Sequence, residues 1–346
     1  MFTTATVSSW VAADPNPRPF APPMFRKPLP YIILAVFGVA GFLAWKNLDS
    51  PAATEATSEA AQRPPLPKSA RPQTTRLDFL ADTSQPYQVR IDQFRNILVD
   101  GCSEPELRFL YQLLEKKPPA SELPEHWYVL ANDIMVMIHA HETVPQRFSS
   151  QFIGLLNAPH QPEVLRDYAV QHLATWINPH SSQAGATRLP AASPEIAAEV
   201  LDALATATTD PALAQSTIPG TTLMMLVNLT RSNSGVDCTQ AIATLKPWLS
   251  EALREGSTLS NPIRVSAVSA AGILAPSEFR PLIRSIAYQE NGGSLRLPAI
   301  AALGHAGEEQ DLAKLRAIAA SSPELTYAAQ DAATALVARL ALVDPS

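Results

Sequence analysis

Residues 263–272 and 295–304 are two copies of one pattern. Ile263-Arg264-Val265-Ser266-Ala267-Val268-Ser269-Ala270-Ala271-Gly272 lies over Leu295-Arg296-Leu297-Pro298-Ala299-Ile300-Ala301-Ala302-Leu303-Gly304 at an offset of 32, with arginine, alanine and glycine in matching places. The offset carries on into the next segment, where Ile283-Arg284-Ser285-Ile286-Ala287 matches Leu315-Arg316-Ala317-Ile318-Ala319. Upstream, Leu165-Arg166-Asp167-Tyr168-Ala169-Val170 echoes 263–268 at an offset of 98, which reads as three units of about 33 residues. A unit of this length cannot bury its own apolar face, so copies must stack and share a core. This restricts the chain to an extended array of like units.

From about residue 84 the apolar positions recur with helical spacing, and no persuasive series of period-2 strands interrupts them. The class is all-α. Helix starts are marked by Ser103-Glu104-Pro105-Glu106, with its capping-box spacing, by Ser193-Pro194-Glu195, and by Ser322-Pro323-Glu324, which is expected to open the last helix. Short breaks predict antiparallel neighbours. Pro247, inside the run 239–255, predicts a stop or kink near Lys246. Residues 178–192 form the longest polar break.

The pattern R-x-x-A-(V/I)-x-A-(A/L)-G, on the second helix of a pair of about 30 residues, resembles short HEAT repeats, including the HEAT-like repeats of phycobilisome lyase families. The match covers 262–320 and 162–177. The resemblance implies an α-solenoid that binds partners along its surface, with one row of helices lining the inner side, and it transfers no active-site residue. Small residues in the pattern predict close helix approach, and its glycine predicts a helix end before the next unit. Recurring Arg166, Arg264 and Arg296 are expected to orient neighbouring units or to pair with loop acids.

Ahead of the array, 29–45 (LPYIILAVFGVAGFLAW) carries no charge and is bracketed by Arg26, Lys27 and Lys46. Seventeen residues rise about 25 Å as a helix, and lysine snorkelling with Tyr31 and Trp45 at the ends fits them to a ~30 Å hydrocarbon core. A cleaved signal peptide wants a short leading region and a small-x-small site, and the sequence offers neither. A buried soluble helix is disfavoured by apolarity around the whole circumference. The domain plan is therefore a disordered cytoplasmic tail (1–28), a transmembrane signal anchor (29–45), a Pro/Ala-rich linker (46–83) and a helical-repeat domain (84–346). The linker's prolines and small polar residues bury too little to offset the entropy of ordering. Arg18, Arg26 and Lys27 before the segment, against Asp49, Glu55 and Glu59 after it, place the N-terminus in the cytoplasm. The array is then expected on the periplasmic side of a bacterial inner membrane.

The formal net charge of −6 gives no footprint for nucleic acid. GxSxG, SxxK, P-loop and GxGxxG motifs are missing. His139-Ala140-His141-Glu142 is the densest histidine set. Its i, i+2 histidines diverge on a helix and HExxH is absent, so they read as helix-end groups near a C-terminal dipole. His160, His172 and His180 are isolated, with His172 at a repeat position filled by alanine elsewhere. Glu308, Glu309 and Asp311 read as an acidic first turn. Cys102 and Cys238 form no CxxC and are expected as buried free thiols, and Asn228-Leu229-Thr230 reads as a chance sequon in a packed helix. No catalytic, cofactor-binding or metal-ligating set is assigned, and no cofactor is expected. The sequence thus points to a membrane-tethered, non-enzymatic interaction or scaffold protein with a protein partner. The alternatives are an enzyme, lyase-like by the same resemblance, with an unrecognised site, or a structural envelope spacer. A periplasm-active reporter fused after Ser346 should be active; activity of only a cytoplasm-active reporter there would reverse the orientation.

Overall fold

The helical periodicity resolves, in a computed structural model, into thirteen α-helices among the described residues, which are 75–97, 101–117, 123–180, 189–289 and 293–343. They are α1 (Tyr87–Ile97), α2 (Glu104–Leu114), α3 (Pro124–His141), α4 (Pro145–Leu156), α5 (Glu163–Ile177), α6 (Pro194–Thr209), α7 (Ile218–Arg231), α8 (Thr239–Leu253), α9 (Asn261–Leu274), α10 (Pro276–Tyr288), α11 (Gly293–Ala306), α12 (Glu309–Ser321) and α13 (Thr326–Val343). No strand occurs among these residues. The apolar segment 29–45 lies outside them, and none of the described helices is long and apolar enough to cross a membrane. Leu77 and Leu80, ahead of residue 84, already belong to the core.

Each even-numbered helix packs on the odd-numbered one that follows it, from α2–α3 to α12–α13, and each odd-numbered helix stacks on the next odd-numbered one from α1 to α13. The even-numbered helices form a second, looser row.

Small side chains set the tightness of the odd row. A Cβ at Gly272 in α9 would stand 2.9 Å from Ala302 Cβ of α11, and one at Gly304 in α11 would stand 3.2 Å from Ala332 Cα of α13. This corrects the expected role of the glycine. Both glycines lie inside their helices, which continue to Leu274 and Ala306, and they serve backbone approach rather than termination.

The motif arginines share one task within their own pair. Arg166 Nε donates to Leu156 O at 2.7 Å, Arg264 Nε to Ala252 O at 2.9 Å, and Arg296 Nε to Ala287 O at 3.3 Å. Each acceptor is in the last turn of the preceding even helix, where carbonyls lack intrahelical donors and the dipole favours a cation. The hydrogen bonds of Arg166 and Arg264 stay within their own pairs. In α13 the corresponding Thr326 Oγ1 donates to Ala319 O at 3.0 Å, so a neutral group does the same work.

With the buried residues Leu165, Ile218, Ile263, Leu295 and Leu325 as a common origin, the units α4–α5, α6–α7, α8–α9, α10–α11 and α12–α13 fall into register. The offset of 98 therefore spans two pairs rather than three, because long connections separate α5 from α6 and α7 from α8. In α7 the register places Pro219 at the arginine position, Thr222 at the alanine and Val227 at the glycine. In α13, Gln330 and Thr334 are exposed where α11 buries Ile300 and Gly304 under the next helix.

Two proline expectations also change. The helix α8 runs through Pro247 to Leu253, since Pro247 and Ala243, whose carbonyl loses a donor, both face solvent while Leu245 and Leu249 stay in the core. Ser322 caps a 3-10 turn, Pro323–Leu325, ahead of α13. Ser103 and Ser193 begin α2 and α6 as expected, with Ser103 N donating to Glu106 Oε2 at 2.7 Å.

Replacing Gly272 by alanine should cost about 1–3 kcal/mol, since Ala302 must move. Gly154→Ala, in α4 with nothing within 4 Å of its new Cβ, should stabilise by about 0.5–1 kcal/mol. Urea midpoints that shift alike for the two variants would refute the close-approach argument.

Candidate functional site

Charged residues gather on the even row, where helices stand apart and long side chains can bridge them. Glu142, at the end of α3, is fully buried and accepts from Thr143 N and Val144 N, each at 2.8 Å, and from Tyr111 Oη of α2 at 3.0 Å. Arg147 of α4 binds it through Nε and Nη2, both at 2.7 Å, and holds Glu104 of α2 with its other edge. Burial raises the Glu142 pKa, but the Arg147 and backbone hydrogen bonds outweigh it and hold the carboxyl below its usual range. A second such joint links α10 to α12. Arg284 grips Asp311 at 2.8 and 2.7 Å and Glu308 at 2.7 Å, and Tyr288 Oη donates to Asp311 at 2.5 Å. Glu308 and Asp311 form the capping box of α12, as an acidic first turn should. Both clusters are satisfied internally and leave no acid or base for other chemistry.

The histidines fall into different settings. His139 of α3 and His172 of α5 are buried with ring centroids 5.8 Å apart, enclosed by Phe148 and Phe152 of α4 and by Trp176. The sequence had left His172 isolated; only the stacking of α5 on α3 brings it to His139. Burial lowers His139 to about 4, and burial with the charge of His139 lowers His172 to about 3. Both rings are neutral at pH 7. His160 and His180 are exposed and join neither. Among the described residues no group of three His, Cys, Asp or Glu could hold a metal ion.

Cys102 and Cys238 are free thiols. Burial pushes Cys102 up to about 12 and also raises Cys238, so neither is activated as a nucleophile. Asn228 is exposed on α7, in contrast to the packed setting expected for it. A shallow groove of about 510 Å³ along α12 and α13 is lined by Arg316, Ala319, Ala329, Gln330, Ala333, Thr334 and Val337, and Arg316 alone brings charge to it.

The outward face of the odd row has another character. Two residues beyond the common origin, each odd helix presents a ridge position: Asp167 in α5, Gly220 in α7, Val265 in α9, Leu297 in α11 and Tyr327 in α13. Leu297 is 50 % exposed and Tyr327 81 %. The charged side chains of α7, α9 and α11 are limited to Arg231, Arg264 and Arg296, two of which are turned to capping.

At the N-terminal end of this face the ridge changes to acid and tyrosine. Tyr87 of α1 stacks on His126 of α3 with centroids 4.5 Å apart, and Arg95 Nε of α1 donates to Asp133 Oδ2 of α3 at 3.0 Å. The pKa of Tyr168 in α5 is raised by burial and then by the charges of Asp167 and Asp133. Burial raises Asp133 against the pull of Arg95, and pushes Asp167 up to about 6 with Thr221 and Thr217 opposing. Asp167 Oδ1 is enclosed and accepts no hydrogen bond. None of these six residues was given a functional role by the sequence, although Asp167 and Tyr168 belong to the repeat echo 165–170. The available signal was Asp167 standing opposite Val265 in the offset alignment.

Compared with known proteins, the chain matches no family model, no curated protein and no solved structure. The site is therefore read from its own residues.

The buried histidine pair makes an acid-labile corner. Their folded pKa values lie below the ordinary ~6.5, so below that pH the unfolded chain binds protons that the folded chain does not. Stability should be full above about pH 6.5 and fall progressively toward pH 4. The urea midpoint at pH 5 should lie below that at pH 7, and His172→Phe should flatten this slope. A wild-type profile flat between those values would overturn the reading.

Proposed function

We propose that this chain is a membrane-tethered, non-enzymatic binding protein whose array of HEAT-like helix pairs holds a protein partner along the odd-numbered face. The carrying observation is the contrast between the two rows. Charges bridge the even helices, whereas α7, α9 and α11 of the odd row are charge-poor and Leu297 of α11 and Tyr327 of α13 stand in the open at one register position. Apolar side chains exposed at a repeated position of an array mark a surface kept for contact. A passive spacer needs no such face. The HEAT-like reading is supported by the shared arginine, alanine and glycine positions on the second helix of each recognisable pair, and the tether by the uncharged run 29–45 between Arg26-Lys27 and Lys46. The charge bias around that run supports a cytoplasmic N-terminus and a periplasmic array.

Cross-linking in native membranes tests this reading. Leu297→Asp and Tyr327→Asp should weaken capture of the same partner about 10- to 100-fold, the range of a hot-spot loss, while helicity and melting stay unchanged. Partner capture indifferent to both substitutions, or catalytic turnover by the purified protein, would sink the proposal.

A further inference from the structure

We infer that the outer face of α7, α9 and α11 pairs with the same face of a second copy of this chain, in a symmetric contact between molecules tethered in one membrane. The inference rests on the odd face being a partner surface and names the partner that these three helices accept.

Three observations converge on it. The first is position. The ridge residues Gly220, Val265 and Leu297 are followed one turn on by Met224, Ser269 and Ala301, which lie on the same side of their helices because residues four apart do. All six are open to solvent in part or in full. The second is relief. A Cβ at Gly220 would stand 3.3 Å from Ser266 Oγ of α9, and Gly272 brings α9 against α11 in the same way. Small side chains thus fill the seams between the three helices and leave their common face smooth. The third is charge. The three helices hold no aspartate, glutamate or lysine, and of their arginines Arg264 and Arg296 are turned to the carbonyls they cap. Acids return on the flanking helices, with Glu163 on α5 and Asp331 on α13.

Neutrality decides the kind of partner. The chain carries a formal net charge of −6, so two copies repel one another over most of their surface. Around a two-fold axis a charged patch meets its own image, and like charges set opposite one another oppose association. A face without charge is where a second copy sits free of that penalty. An unlike partner, by contrast, is steered and selected by complementary charge, which these helices do not offer. The extent of the face points the same way. Three helices at about 8–10 Å spacing, over two to three turns each, present on the order of 400 Å² a side, against roughly 800 Å² in a standard interface. Such a contact is weak between free molecules, and a common membrane tether strengthens it by raising the concentration that each copy meets. Because the same face is used on both sides, the contact closes at two molecules.

The test co-expresses two differently tagged copies of the full chain and treats native membranes with a flexible thiol-to-thiol cross-linker, with the wild-type chain as the blank. When both copies carry Ser269→Cys, capture of one tag should bring down the other covalently about tenfold more than when both carry Ser250→Cys, which puts the thiol on α8 of the even row. Leu297→Asp added to the Ser269→Cys copies should lower that yield about tenfold. The contrast between the two cysteine positions does not depend on Leu297→Asp and keeps the test decisive if that variant folds poorly. Equal yields from the two positions would mean chance collision in the membrane and would overturn the inference. So would an unchanged yield in the Leu297→Asp variant. Ser269→Cys linked only to a different protein would remove the second copy as occupant while leaving the partner-surface reading standing. No cross-link of any kind at Ser269→Cys would count against both.

Discussion

The distance at which α9, α11 and α13 pass one another governs much else in this structure. That distance is set by Gly272 against Ala302 and by Gly304 against Ala332, contacts with no room for a further carbon. The even helices pack less closely, and where α2 faces α4 and α10 faces α12 long side chains join them, as Arg147 does with Glu142 and Glu104 and Arg284 with Asp311 and Glu308. Small residues belong where helices pass closely, and extended charged groups where they stand apart.

The same close approach shapes the composition of the odd row's outer face. A row whose flanks are occupied by alanine and glycine leaves only the ridge free to vary, and there Asp167, Gly220, Val265, Leu297 and Tyr327 differ in size and charge at one structural position. In α9 and α11 the scaffold positions repeat while the ridge does not. Chemical variety at a fixed position is what distinguishes a surface that reads a partner from one that only fills space.

How much of this was legible in the sequence depends on the unit. The pairs α8–α9 and α10–α11 were readable because arginine, alanine and glycine each answer a physical demand that few other residues meet. The unit ending in α7 was not, since Pro219, Thr222 and Val227 stand at those three positions, and its absence from the register made two pairs look like three. The all-α class and the helix starts at Ser103 and Ser193 followed from local signals. The approach of His139 to His172 did not, because it depends on neighbours in the odd row that lie far apart along the chain. Pro247 was misleading for a different reason: its cost falls on an exposed carbonyl that water can satisfy.

The far side of α13 bears on a matter of assembly. Its stacking positions hold Gln330 and Thr334, whereas α11 presents Ile300 and Gly304 to the helix that covers it. A face like that of α11, if left open, would accept a helix from a second molecule as readily as one from its own chain. Such a contact joins unlike surfaces and does not close into a ring by itself, so molecules would add end to end into a fibre. Two hydrophilic side chains in place of a branched aliphatic and a glycine weaken the template for that growth.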